Sequence, residues 1–164
     1  MDSTHSTSTP SITLLLLRVL TFVFLLIALI IIATNKLINY YTMNKIDFSD
    51  VYAYRYMLST IVLGFAYTLL QMAFAIFTTI SGNRVLSGDG GYLFDFFGDK
   101  IISYLLISGS AAGFGFTVDM SRNAPSNRFT EKANASASLL LIGFLFTSIA
   151  SIFTSFALPK RSTH

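Results

Sequence analysis

Four long apolar runs, separated by short polar stretches, dominate the pattern along this 164-residue chain. A helix needs about 20 mainly apolar residues to cross the roughly 30 Å hydrocarbon core of a bilayer. The runs cover about residues 12–34, 54–80, 97–118 and 135–158, so each is long enough to span. Transmembrane β-strands would instead alternate apolar and polar positions over about ten residues, which these runs do not. The pattern therefore predicts an all-α fold, a four-transmembrane-helix bundle.

The polar stretches between the runs are too short to fold as separate domains. They are Asn35–Ala53, Ser81–Phe96 and Asp119–Asn134. The middle one contains the glycine-rich sequence Ser87–Gly91, which we interpret as a flexible linker because no strand precedes it and no Gly-Lys-Ser/Thr follows. We expect a single transmembrane domain over residues 12–158, with a disordered tail at residues 1–11 and a short tail at residues 159–164.

Composition agrees with this prediction and excludes several functions. The chain is 53% hydrophobic and 12% charged, where a soluble domain carries about 25% charged residues. Its basic residues are scattered, which argues against nucleic acid as a partner. There is no cysteine, and the two histidines, His5 and His164, lie in the polar termini. We therefore assign no catalytic, cofactor-binding or metal site, and expect a protein that is not an enzyme.

Two charged residues inside the apolar runs are the most informative positions. Each such charge costs about 2.5–3.5 kcal/mol at the centre of a helix on insertion scales, so it usually faces a partner. Arg18 in the first run and Asp99 at the start of the third lie at a similar depth, on the order of 9–10 Å from the same surface. Since the first and third helices run in the same direction, we predict a structural intramembrane ion pair between them. A guanidinium can bind a carboxylate through two parallel hydrogen bonds.

Two other interpretations stay open for these charges. Arg18 could extend alone toward the lipid headgroups, with Asp99 marking a helix start, where an acidic group suits the helix dipole. A proton relay would need a chain of titratable groups, and the only obvious polar neighbour within the runs is Gln71 on the second helix. Asp95, one turn before Asp99, could add a second carboxylate near the membrane surface.

Small residues on the third helix predict a close-packing face. Gly109 and Gly113 form a GxxxG pair, which the pairs Ser108/Ala112 and Ala111/Gly115 extend. Small side chains let two helix backbones approach closely, which replaces the hydrophobic driving force that lipid removes. Spacing alone does not distinguish contacts within the bundle from contacts between protomers, and we favour the interior. Serines on the fourth helix are suited to the same packing role; they are Ser136, Ser138, Ser148, Ser151 and Ser155.

Several sequence blocks resemble the plant CASP-like family, the four-span relatives of Casparian strip membrane domain proteins, and are closest to the D-type members of its class four. The blocks are LLLLRVLT (residues 14–21), DVYAYRYMLS (50–59), DFFGDKIISYLLISGSAAGFG (95–115) and ASASLLL (135–141). The resemblance touches all four helices and implies a MARVEL-like bundle. It also implies that the family's shared intramembrane charges fall here on Arg18 and Asp99.

The resemblance implies a plasma-membrane protein with both termini in the cytosol. It also implies homodimers or higher homo-oligomers, and hetero-oligomers with related family members, within the lipid bilayer. By the positive-inside rule, the basic residues of the loops weakly favour the opposite orientation of the termini, and we follow the resemblance. Residues 35–53 lack the aromatic, proline-containing signature of members that form the Casparian strip.

We therefore expect a scaffold that organises membrane domains and is related to the cell wall rather than to the Casparian strip itself. The alternative is a small oligomeric channel or carrier, with a polar path near Arg18, Gln71 and Asp99.

Overall fold

Four long helices make up most of the structure. The computed structural model describes residues 9–38, 45–81, 89–123 and 128–156. The helices are α1 (Thr9–Ala33), α2 (Tyr52–Ser81), α3 (Asp89–Asn123) and α4 (Arg128–Phe156). All four are long and apolar enough to cross a membrane. The predicted four-transmembrane-helix bundle is confirmed.

A short antiparallel ladder follows α1. Strand β1 (Lys36–Ile38) pairs with β2 (Lys45–Asp47), so that Lys36 lies opposite Asp47, and a 3-10 turn at Phe48–Asp50 leads into α2. These strands were not predicted from the sequence, because runs of three residues are too short to show a reliable alternation.

Two helices begin earlier than the apolar runs indicated. We expected α3 from about residue 97 and α4 from about residue 135, but they begin at Asp89 and Arg128. The prediction that Ser87–Gly91 is a linker is therefore wrong from Asp89 onward, and residues 9–11 belong to α1 rather than to a tail. Backbone groups near a bilayer gain from hydrogen bonds within a helix, so a helix continues past its apolar segment. Residues 1–8 and 159–164 lie outside the described residues.

The helices are arranged as a square in which neighbours in the chain are neighbours in space. α1 and α3 each pack against both α2 and α4, whereas α2 and α4 scarcely touch. α1 and α3 therefore face each other across the diagonal. Buried side chains recur at helical spacing and form one core; among them are Leu25, Ala28 and Ile32 on α1, Tyr54, Met57 and Ile61 on α2, and Ala133, Ala137 and Leu140 on α4. The outer surface is also apolar, as lipid requires.

Polar side chains join α1 to α4 near the ladder. Ser136 donates a hydrogen bond to the carbonyl oxygen of Ala28 at 2.9 Å, and Nδ2 of Asn35 donates to that of Phe129 at 2.8 Å. Both residues are fully buried. These contacts fix one end of the bundle, while a charged cluster lies toward the other end.

Candidate functional site: a buried charged cluster

Arg18 reaches from α1 into the centre of the bundle. Only 7% of the residue is exposed. Its Nη1 donates a hydrogen bond to Oε1 of Gln71 on α2, and its Nη2 lies 3.7 Å from Oδ2 of Asp99 on α3. The structure thus places the two charges of the sequence prediction together, across the diagonal of the bundle. A guanidinium in this position faces protein groups rather than acyl chains.

Asp99 receives contacts from all three other helices. The residue is 2% exposed. Tyr67 of α2 donates to Oδ1 at 2.7 Å, and Thr154 of α4 lies 3.1 Å from Oδ2. The Thr154 hydroxyl carries only one hydrogen, so Oδ2 of Asp99 and the carbonyl oxygen of Ala150, at 2.9 Å, are alternative acceptors for it. Together with Arg18 on α1, these contacts connect the Asp99 carboxylate to every other helix of the bundle.

Gln71 connects this carboxylate to a second one. Its Nε2 donates to the Tyr67 hydroxyl at 2.7 Å and lies 3.0 Å from Oδ1 of Asp95. Because Oε1 accepts from Arg18, both ends of the amide are used. Asp95 and Asp99 lie one turn apart on α3 and act as hydrogen-bond acceptors for different residues of α2.

The space left inside the cluster is small. A cavity of about 10 Å³ lies beside Arg18 and Asp99. The other residues that line it are Thr21, Tyr67, Thr68, Gln71, Thr147 and Ala150. A cavity needs roughly this volume to hold a single water molecule. The arrangement therefore holds charge in place and offers a passing solute no room within one chain.

The predicted packing face of α3 divides into two parts. Gly109 lies against α2, where an added Cβ would be 2.9 Å from Cβ of Thr60. Gly113 lies against both α2 and α4, where an added Cβ would be 2.5 Å from Sδ of Met57 and 3.2 Å from Cβ of Ala137. Both glycines are buried, so this GxxxG pair serves contacts inside the bundle.

The remaining members of that predicted face do not share these contacts. Ser108 is exposed and pairs with the hydroxyl of Tyr56 at 3.0 Å, and Ala112 is half-buried. Gly115 is exposed, and an added Cβ would meet nothing within 4 Å. The prediction that Gly115 belongs to the interior face is wrong, because two residues rotate the helix by roughly 200° from Gly113.

Sequence reasoning missed three members of the charged cluster: Tyr67, Asp95 as a partner of Gln71, and Thr154. A signal was present for the first. Tyr67 and Gln71 are four residues apart, as are Asp95 and Asp99, so each helix presents two polar groups on one face. Thr154 gives no such signal, because threonine in a membrane helix usually bonds to its own backbone.

No group of His, Cys, Asp and Glu side chains suited to a metal ion occurs within residues 9–38, 45–81, 89–123 and 128–156. The two histidines, His5 and His164, lie outside these ranges.

Comparison with known proteins identifies the family. Residues 7–146 match the model of the Casparian strip membrane protein domain. The chain belongs to this family, in its CASP-like 4D group. It is 74% identical over 161 residues to CASP-like protein 4D1 of Glycine max, covering 98% of this chain and 95% of that protein. The family predicted from the sequence blocks is confirmed.

Two further relatives span nearly the whole chain. CASP-like protein 4D1 of Ricinus communis is 52% identical, covering 90% of this chain and 91% of that protein. CASP-like protein 4D2 of Arabidopsis thaliana is 46% identical, covering 91% of each. No solved structure matches the chain. The matched Casparian strip membrane protein domain contains every residue of the charged cluster except Thr154, so this multi-pass membrane protein carries the cluster within its family domain.

Proposed function

We propose that this protein is a non-enzymatic scaffold that associates laterally in the plasma membrane and organises membrane domains or recruits partner proteins. The observation that carries the proposal is the charged cluster. Arg18 donates a hydrogen bond to Gln71 and lies 3.7 Å from Asp99, and Asp99 itself contacts groups from three other helices. Such a cluster makes a rigid unit for assembly, and it leaves no reactive group presented to a substrate.

The outward surface of α3 supports lateral association. Ala111 and Gly115 are both exposed and lie one turn apart, which gives a small-xxx-small pair on the lipid-facing side. Nothing in the described part of the chain lies within 4 Å of a Cβ added to Gly115. Membrane helices associate through such pairs because the backbones come close and van der Waals contact improves. We infer that a second copy, or a related CASP-like protein, packs here.

Lateral association can be measured by single-molecule photobleaching of the full chain in lipid vesicles. We expect Gly115→Leu to lower the dimeric and oligomeric fraction several-fold. Ala73→Leu is the matched control, because Ala73 is also exposed and lies on a different helix, α2. A strictly monomeric wild-type protein would contradict the scaffold proposal, and equal effects of the two variants would contradict the α3 surface.

Plasma-membrane location and cytosolic termini belong to the same proposal and are supported by family membership. The described residues include four candidate spans, and an even number of spans returns a chain to the side of the membrane on which it starts. Tags at either terminus should be protected from protease added outside intact cells and digested once the membrane is permeabilised. Digestion of both tags in intact cells would show that the termini lie outside the cell, which contradicts the proposed orientation.

The proposed role is related to the cell wall but is not Casparian strip formation itself, because residues 35–53 lack the signature of strip-forming members. The alternative of a channel or carrier is less well supported, because the cavity beside Arg18 and Asp99 measures only about 10 Å³. Vesicles that contain the protein should show no flux of small ions or neutral solutes above that of empty vesicles.

A further inference from the structure

A groove lies on the outer surface of the bundle between α3 and α4. Its volume is about 350 Å³, within the range of small-molecule sites. Residues of both helices line it: Phe96, Lys100, Ser103, Tyr104, Phe144, Ser148, Ser151, Ile152 and Ser155. The charged cluster lies on the inner side of these helices, so the groove is a separate feature that faces lipid.

The groove has a polar end and an apolar end. The contact between Thr154 and Asp99 sets the level of the antiparallel helices. Lys100 and Ser155, each one residue further along but in opposite directions, therefore lie within about 3 Å of the same depth. Phe144 is eleven residues before Ser155 on α4, which places it about 16 Å deeper in the bilayer. The polar end of the groove, with Lys100, Ser151 and Ser155, therefore lies nearer to the membrane surface. Phe96 is also at this end, whereas Tyr104, Ser148 and Phe144 lie deeper.

Lys100 supplies a positive charge at the polar end. The residue is exposed, and its Nζ lies 4.8 Å from the centre of the Phe96 ring. Side chains on a helix point toward its N-terminus, which on α3 is the direction of the nearby membrane surface. The acidic neighbours do not oppose this charge within the groove: Asp99 faces Arg18, and Asp95 accepts from Gln71. Nothing acidic is present among the groove-lining residues that the structure describes.

Three serine hydroxyls along the groove are without a hydrogen-bond partner in the part of the chain that the structure describes. Threonines of α4 bond to their own helix, as Thr147 does to the carbonyl oxygen of Gly143 at 2.9 Å. By contrast, Ser148, Ser151 and Ser155 make no hydrogen bond to any residue in the described ranges. Leaving a hydroxyl unpaired in an apolar medium is unfavourable, so these donors need an acceptor from outside the chain.

We propose that this groove binds one anionic phospholipid. The headgroup phosphate accepts hydrogen bonds from Lys100, Ser151 and Ser155, and one acyl chain lies along Tyr104, Phe144 and Ile152. Basic pockets between membrane helices bind anionic headgroups by this combination of charge and donors. The inference does not depend on the scaffold function, because a single chain forms the whole groove.

Native mass spectrometry of the full chain, released from nanodiscs of phosphatidylcholine and phosphatidylserine with identical acyl chains, tests the site. We expect one retained phosphatidylserine per chain, with retention about fivefold lower for Lys100→Gln. Ser151→Ala with Ser155→Ala should also lower retention, and Lys100→Arg should preserve it. Lys132→Gln and Ser138→Ala are the matched controls, since both residues are exposed and lie outside the groove.

Three outcomes would overturn the proposal. Equal retention of phosphatidylcholine would show that charge does not select the occupant. Equal loss in Lys132→Gln would show diffuse attraction rather than a site. Unchanged phosphatidylserine binding in Lys100→Gln, with a lower oligomeric fraction, would show that a second copy of the chain occupies the groove. Circular dichroism of each variant confirms that it is folded, and the variant with Ser151→Ala and Ser155→Ala provides the readout if Lys100→Gln is not.

Discussion

Arg18 and Asp99 belong to helices on opposite corners of the bundle, yet Nη2 of Arg18 lies 3.7 Å from Oδ2 of Asp99. Two helices of a square bundle approach across its diagonal only through long side chains. An arginine side chain is long enough for this distance, and the pair fills the centre of the bundle at the depth of Asp99. Charge neutralisation and helix packing are therefore provided by the same contact.

Removing one member of this pair should destabilise the bundle strongly. We expect Arg18→Ala or Asp99→Ala to cost about 3–5 kcal/mol, because the remaining charge is left buried without its partner. Reversible unfolding in mixed micelles measures the effect, and Lys132→Ala, which removes an exposed charge outside the cluster, is the control. Exchanging the two residues should partly restore stability. If both single variants unfold like the wild type, the pair has no structural role.

The hydroxyl group of Tyr67 should contribute to the stability of the bundle separately from its aromatic ring. It donates to Asp99 and accepts from Gln71, so Tyr67→Phe removes two hydrogen bonds while keeping the aromatic packing. We expect a loss of about 1–2 kcal/mol. Tyr52→Phe, at a residue that is 83% exposed, should change stability by less than about 0.5 kcal/mol in the same unfolding assay. Equal effects of the two changes would argue against the hydrogen bonds.

Two glycines on α3 should respond oppositely to the same substitution. A Cβ at Gly109 would overlap the side chain of Thr60, so Gly109→Ala should cost about 1–3 kcal/mol through overpacking. Gly115→Ala meets open space and should be neutral or stabilising by up to about 1 kcal/mol, since alanine favours a helix. Unfolding of the double variant Gly109→Ala, Thr60→Ala should show partial recovery. Its absence would mean that Thr60 is not the obstacle.

One hydrogen bond between helices should have a small but detectable effect. Ser136→Ala removes the donor to the carbonyl oxygen of Ala28 and should cost about 0.6 kcal/mol, the average for such bonds in membranes. Ser138→Ala removes a hydroxyl that bonds only within α4, at 2.8 Å to the carbonyl oxygen of Asn134, and should have less effect. The difference between the two variants in the mixed-micelle assay measures the contribution of the bond between α1 and α4.

The sequence by itself determined the number and type of the helices, because a run of about 20 apolar residues has few alternatives to a spanning helix. It also singled out Arg18 and Asp99, since the cost of a charge in lipid makes any such residue conspicuous. The depth of each residue in the membrane follows from its position along a helix, so the similar depth of Arg18 and Asp99 could be estimated by counting residues.

Only the tertiary structure decided how the helices turn about their own axes. Rotation determines which side of α3 faces inward, and this is why Gly113 is buried while Gly115 is exposed. It also brings Tyr67, Gln71 and Thr154 to the two charges from helices far apart in the chain. Helices that are apolar on every side carry little pattern to fix this rotation, because lipid and protein interior favour the same residues.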